Sequence, residues 1–453
     1  MAQTYDLTNG KVTGLVLRFF FPMFFTNMLQ QVYSIADTAI VGKGLGDDSL
    51  AAVGNMSSLT FLVIGFSIGM TNGFSISAAR NYGARKYDAL RNVVASSVIL
   101  GGMIAVILTV LSTLFLRQTL VLLQTDEAVI GESLRYGYVI FGGLLATIAY
   151  NLCSSTLRAL GDSKTPFIAI IISSVINICL DYVLIYYVKT GVEGAAAATV
   201  FSQVISTLIC YLKIRKIDII HLRLQDFRAQ LGVYLELLKN GIPMAIMNSI
   251  TAVGCMVVQY FVNGLGIAYM SAYSACSKYI NLFMQPSCTA GYTVSSFTSQ
   301  NYGAGKYTRI KDGLRVCLAI AGISYLILGS VMFFFPRMLA GLMLNGSEQI
   351  ALAALFLRRC GLMIFTVDFL FVFRSSCQGM GHPVIPMVSG IAEMVMRIVV
   401  IVGFVSRFGF RATAYAEIAA WSVALLINVL AFRYYYRQHL RQAQPTTLCA
   451  QAV

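Results

Sequence analysis

Apolar runs of roughly twenty residues or more recur from one end of this chain to the other. At 1.5 Å of rise per residue, each is long enough to cross the hydrocarbon of a bilayer. The strands of a membrane barrel would alternate polar and apolar residues, and these runs do not. Two or three soluble domains would fit 453 residues, but 11% charged residues is about half what such domains carry. The sequence therefore reads as an all-α integral membrane protein. Its polar start, "MAQTYDLTNGKVTG", has no apolar core followed by a small-residue cleavage site. The first apolar run is expected to be a retained helix.

Twelve spans are expected, at 13–40, 51–78, 92–115, 134–157, 165–188, 194–213, 236–262, 270–298, 313–335, 350–376, 384–405 and 412–433. The net charge of +14 comes from basic residues in short loops between the runs, the pattern that orients membrane proteins. Arg80, Arg85, Lys86, Arg91, Lys306, Arg309, Lys311 and Arg315 lie in loops on one side. That weighting places both termini in the cytoplasm and the chain in the plasma (inner) membrane as a multi-pass protein. The longest polar connection, "KIRKIDIIHLRLQDFRAQLG", has the Ile/Leu spacing of a helix lying on the membrane surface. The expected organisation is an N-terminal lobe over 1–213, an amphipathic connection over 214–235, a C-terminal lobe over 236–433 and a cytoplasmic tail over 434–453.

An internal repeat divides the chain. "NYGARKY" begins at Asn81, and "NYGAGKY" begins 220 residues later at Asn301. The same offset carries Gly44-Leu-Gly46 onto Gly264-Leu-Gly266, and "GDSKTP" at Gly161 onto "GHPVIP" at Gly381. Two homologous six-helix bundles follow. An even number of helices starts both bundles on the same side, so they are parallel repeats, an architecture found in transporters.

Charge inside an apolar run is costly, so each instance asks for a reason. Asp37 sits near the outer end of the first span, where it could simply reach the headgroups. Gln30 lies two turns earlier on the same face. In the fifth span Asn177 and Asp181 stand four apart, and Thr199 lies in the small-residue stretch "GAAAATV" of the sixth. Two carboxylates, two amides and a hydroxyl offer oxygens to a hard cation such as Na⁺. The acids can equally carry a proton, and the residue types do not choose between the two. Val257 occupies the position offset from Asp37, so the second half does not duplicate the cluster. It carries Lys278, and Glu393 four residues before Arg397. These are candidates for a substrate or gating role, or for an ion pair that holds the bundle together. Pro22 removes a backbone hydrogen bond and marks a hinge in the first span. Gly65, Gly69 and Gly73 have the spacing of close helix packing. The cysteines within apolar runs read as small packing residues, and His221, His382 and His439 as isolated. No nucleophile–base pair is visible, so an enzyme is not expected.

"IADTAIVGKGLGDDSLAAVG", "NYGARKYDALRNVV", "INICLDYVLI" and "GVEGAAAATV", with "SQNYGAGKY" in the second half, together resemble the multidrug and toxic compound extrusion (MATE) family. The likeness covers essentially the whole chain. It implies twelve transmembrane helices in two pseudo-symmetric six-helix lobes around a central cavity. It also implies export of organic cations and amphipathic drugs in exchange for Na⁺ or H⁺. In the DinF-like branch the N-lobe site uses an Asp and a Gln on helix 1, an Asn and an Asp on helix 5 and a Thr on helix 6. Asp37, Gln30, Asn177, Asp181 and Thr199 match those positions. The NorM branch places an acid on helix 7 where alignment on Pro243 puts Thr251, so the resemblance favours the DinF-like branch. The expectations are a small cationic or amphipathic substrate, contact with membrane lipid, no nucleic-acid partner, a monomer, and no cofactor beyond the coupling ion. The alternatives are a lipid-linked oligosaccharide flippase of the same superfamily and a membrane scaffold or receptor that does not transport.

Overall fold

The computed structural model describes residues 6–122, 125, 127–228 and 230–443, and every regular element among them is a helix. The first half runs α1 (Val12–Leu45), α2 (Asp47–Gly83), α3 (Tyr87–Leu114), α4 (Glu127–Gly142 and Leu144–Ala159), α5 (Lys164–Tyr182, extended by a π turn, Val183–Val188) and α6 (Val192–Arg215). The second half runs α7 (Leu231–Asn263), α8 (Ile267–Phe283 and Gln285–Gly303), α9 (Tyr307–Ser324, a π turn Tyr325–Gly329, then Ser330–Phe334), α10 (Ser347–Met363 and Phe365–Gly379), α11 (Val384–Phe408) and α12 (Arg411–Ala443). Each helix of the second half starts within one residue of 220 after its counterpart. The repeat thus sets the whole succession of elements.

Among the described residues nine of these helices are long and apolar enough alone to cross a membrane. The bent pairs α4 and α10 kink by 45° and 48° at matching places and bring the number to eleven. The twelfth, α8, is broken at Met284 ahead of Pro286, and its second part is crowded with Ser, Thr, Gln and Asn. The twelve-helix reading holds because the repeat, rather than composition, identifies this span.

The turns repeat as well. Left-handed backbone recurs at Gly46 and Gly266, and again at Gly161 and Gly381. It also recurs at Arg85 and Gly305, both in the Asn-Tyr-Gly motif, and at Lys189 and Gly409. At the last two pairs the first half places a side chain at positive φ where the second half has Gly, with φ 58° at both Arg85 and Lys189. In both motifs the Lys N–H closes the turn on the Asn carbonyl, Lys86 on Asn81 at 3.0 Å and Lys306 on Asn301 at 2.8 Å.

The chain packs as two compact units, one of Arg18–Tyr82 and Lys86–Ser249, the other of Leu7–Leu17, Gly83–Arg85 and the chain from Ile250. In the first unit α2 and the start of α7 meet backbone to backbone. A Cβ on Gly73 would fall 2.4 Å from the Gly241 Cα, and one on Gly69 would fall 2.5 Å from the Ala245 Cα. Polar contacts flank this seam. Ser77 donates to Glu236 at 2.9 Å, Asn240 donates to Ser77 at 2.9 Å, and Asn248 donates to the Gly65 carbonyl at 2.9 Å. Asp162 accepts the N–H groups of Lys164 and Thr165 at 3.0 Å and starts α5. The 214–235 connection does not form the expected surface helix. It holds two short 3₁₀ turns, Asp218–Ile220 and Leu224–Phe227, because Ile217 and Ile220 turn inward and are buried.

In the second unit the Asn-Tyr-Gly motif gains a second task. Asn301 donates to the Leu7 carbonyl at 3.2 Å, Lys306 to the Thr8 carbonyl at 2.9 Å and Arg309 to the Gly10 carbonyl at 2.9 Å. The histidines are not all isolated. His382 occupies the place of the helix-starting Asp162 in the repeat, and its Nε2 lies 3.2 Å from the Nε2 of His439 on α12. The ring of His382 stacks on Tyr435. α12 therefore continues beyond the expected tail boundary at 434, while 444–453 lie outside the described residues.

A chain of four buried charges ties α10, α11 and α12 together. Glu393 accepts from Arg374 at 2.6 Å and from Arg397 at 2.8 Å, and Arg397 reaches Glu417 at 3.0 Å. Two positive and two negative groups cancel where water is excluded.

Two outcomes follow from this packing. Replacing Arg85 or Lys189 by Gly relieves a left-handed side chain and should stabilise the protein by roughly 1 kcal/mol each. The midpoint of thermal unfolding in detergent should rise for both and fall for Gly305→Arg. Removing Arg374 alone leaves Glu393 and Glu417 to share Arg397, one buried negative charge in excess, and should destabilise by about 3 kcal/mol or more. Arg374→Met combined with Glu393→Met leaves the Arg397–Glu417 pair intact. Its loss should be smaller than the sum of the single losses in a double-mutant cycle.

Candidate functional site

The first unit gathers its acids around the end of α5. Asp181 is fully buried in the last turn before the π segment, and Asn177 is buried one turn earlier. The pattern of large apolar residues around them is helical until Tyr182, where the ladder widens into the π turn. Such turns accompany functional sites often. Asp37, half-buried on α1, brings its carboxyl within hydrogen-bonding reach of Asp181. Neither carboxylate oxygen of Asp181, nor Oδ1 of Asp37, nor either side-chain atom of Asn177 has a hydrogen-bond donor or acceptor partner among the described residues. Two acceptors that face each other need a positive charge or a shared proton between them.

Two phenols complete the surroundings. Tyr33, one turn before Asp37 on α1, and Tyr136 on α4 are both within electrostatic range of the two acids. Neither stood out in the sequence, where tyrosines are numerous. The polar atoms available to a cation here are oxygens, which suits a hard ion and not a soft one. Gln30 and Thr199 are half-buried on α1 and α6, and neither makes a hydrogen bond to the acid pair among the described residues. Pro22 lies inside an unbroken α1, where Thr26 donates to its carbonyl at 2.7 Å.

The second unit differs in kind. Glu393 and Arg397 pair with each other, as their spacing allows, and belong to the four-charge chain. Its other members, Arg374 and Glu417, were not singled out in the sequence, although each is a charge within an apolar span. Lys278 is exposed on α8 and makes no ion pair among the described residues. A further acid, Asp368 on α10, is buried beside Ser287 with Oδ1 unpartnered. Its single-letter context, "FTVDFLF", carried the signal of a carboxylate in a span.

Comparison with known proteins agrees with the two-part repeat and the fold. The MatE family model matches residues 22–183 and 243–402, one copy in each half of the repeat. The probable multidrug resistance protein YoeA of Bacillus subtilis is 32% identical over 74% of this chain and 74% of its own length. The multidrug export protein MepA of Staphylococcus saprophyticus is 24% identical over 94% of this chain and 95% of its own. A crystal structure of MATE in the bent conformation superposes with a TM-score of 0.91 at 22% identity, covering 97% of this chain and all of that one. A family model that matches in both halves, a relative of this identity and a shared fold agree: the chain belongs to the MatE family of membrane transporters.

Proposed function

We propose that the protein is a secondary active antiporter that exports organic cations and other amphipathic compounds in exchange for Na⁺ or H⁺. The names of YoeA and MepA support the substrate class. The observation that carries the coupling is the Asp37–Asp181 pair, two carboxyls in reach of one another with no protein donor between them. Either ion satisfies that pair, and its departure leaves two like charges in a low dielectric, which favours a change of helix contacts. Asn177 adds an amide oxygen one turn away, and Gln30 and Thr199 complete the set if α1 and α6 shift. Pro22, inside the continuous α1, removes a backbone hydrogen bond and is the hinge at which that helix bends during the cycle. Coupling through the first half, as in the DinF-like branch, is supported by the Arg374–Glu393–Arg397–Glu417 chain of the second half, whose charges neutralise one another.

The energetics suffice. A cation moving inward gains about 2.3 kcal/mol per charge for each 100 mV of membrane potential. That corresponds to roughly a fiftyfold gradient of an uncharged compound, at about 1.4 kcal/mol per tenfold.

Efflux of a fluorescent organic cation from proteoliposomes tests the reading, under a Na⁺ gradient and then under a pH gradient. Wild type should respond to at least one gradient, and Asp37→Asn and Asp181→Asn should lose that response by about a hundredfold, the weight of removing one partner from a buried charge site. Efflux that is equal in all three proteins overturns coupling through these acids. Response to one gradient alone names the ion.

A further inference from the structure

The C-terminal end of α12 has two unlike faces. One is packed into its own unit: Phe432 is buried, Tyr435 stacks on His382, and His439 is buried against His382. These contacts hold the last three turns of the helix in a set orientation. The opposite face is a shallow depression lined by Leu430, Arg433, Tyr434, Arg437, Gln438 and Arg441. All six side chains are exposed. Positions 430, 434, 437 and 441 follow helical spacing, so they form one stripe along the axis.

The three arginines make no ion pair among the described residues, although paired arginines are common elsewhere in this chain. Asp312, which acts on the neighbouring Tyr436, is already engaged by Arg315 at 3.3 Å. The stripe is graded along its length. Leu430 and Tyr434, 56% and 66% exposed, lie toward the apolar body of the span, and Arg437 and Arg441 lie beyond it. Guanidinium groups bind phosphate through paired hydrogen bonds, and a tyrosine suits the boundary between hydrocarbon and water. An amphiphile with one phosphate and an alkyl chain matches this order of groups.

We propose that this face of α12 binds an anionic phospholipid, with its phosphate held by Arg433, Arg437 and Arg441 and its acyl chain along Leu430 and Tyr434. The packed face provides the rigidity that a defined site needs, because the arginines project from a helix that cannot roll. The site is separate from the acid pair and does not depend on which ion drives transport.

The test counts lipid bound to the purified full chain in neutral detergent by native mass spectrometry. The probes are dioleoyl phosphatidylglycerol and dioleoyl phosphatidylcholine. Wild type should prefer the glycerol lipid by about tenfold or more, given the attraction of each arginine for an anionic headgroup. Arg433→Gln, Arg437→Gln and Arg441→Gln together should abolish the preference. A control with Lys213→Gln, Arg215→Gln and Lys216→Gln removes as much charge at the end of α6 and should keep it. The proposal is overturned by a triple arginine variant that keeps the preference, or by a control that loses it equally. It is also overturned if soluble glycerol phosphate displaces the lipid at equal concentration, since the site would then hold a free phosphate. Should the triple variant not accumulate, Arg437→Gln alone must reduce the preference severalfold, and an unchanged value overturns the proposal.

Discussion

Inside a bilayer a polar side chain has no water to turn to, so the protein itself must supply its partner. The two halves of this repeat meet that demand in opposite ways. In the second unit Arg374, Glu393, Arg397 and Glu417 alternate in sign and complete one another. In the first, Asp37 and Asp181 face each other as like groups. The first solution is self-sufficient and holds three helices as a block. The second leaves Asp37 Oδ1 and both Asp181 oxygens without a hydrogen-bond partner among the described residues. A duplicated scaffold thus carries one charge cluster whose members pair with one another and one whose buried acid atoms have no hydrogen-bond partner among the described residues.

Much of the fold was legible in the sequence because its signals are redundant. Each apolar run marks a span, and a 220-residue repeat marks its twin. The repeat mattered most at α8, whose polar second part resembles no membrane helix when taken alone. Its Thr289, Thr293, Thr298, Ser299, Gln300 and Asn301 are buried against neighbouring helices, and no local pattern announces that. The surface helix expected after α6 failed for a related reason. The Ile/Leu period of that stretch was real, but Ile217 and Ile220 serve the protein core rather than lipid.

The acids of the site were visible because charge is rare in these runs. Their mutual approach was not, since Asp37 and Asp181 lie on different helices and only tertiary packing sets their separation. The same holds for Arg374 and Glu417. Each reads as a solitary charge near a span end, and the partner that explains it comes from another helix. Arg85 and Lys189 show a different limit: side-chain chemistry gives no hint of left-handed backbone, and only Gly305 and Gly409 at matching places reveal it. The repeat also keeps geometry while letting chemistry drift. Asp162 starts α5 by accepting two backbone N–H groups, whereas its counterpart His382 reaches sideways to His439.

The polarity of α8 bears on how the chain is made. A segment emerging from the ribosome is sorted into lipid by its own hydrophobicity, and Gln285–Gly303 is poorly suited to leave the translocon unaided. Its polar side chains have partners at both ends of the chain: Asn301 reaches back to the Leu7 carbonyl, while Ser299 donates to the Gly379 carbonyl and Gly291 lies against Phe371 and Ser375, all on α10. The contacts with α10 form only after that helix has been synthesised, so this part of the second half completes its packing as a group, whereas the strongly apolar α3 and α5 depend less on their neighbours to enter lipid.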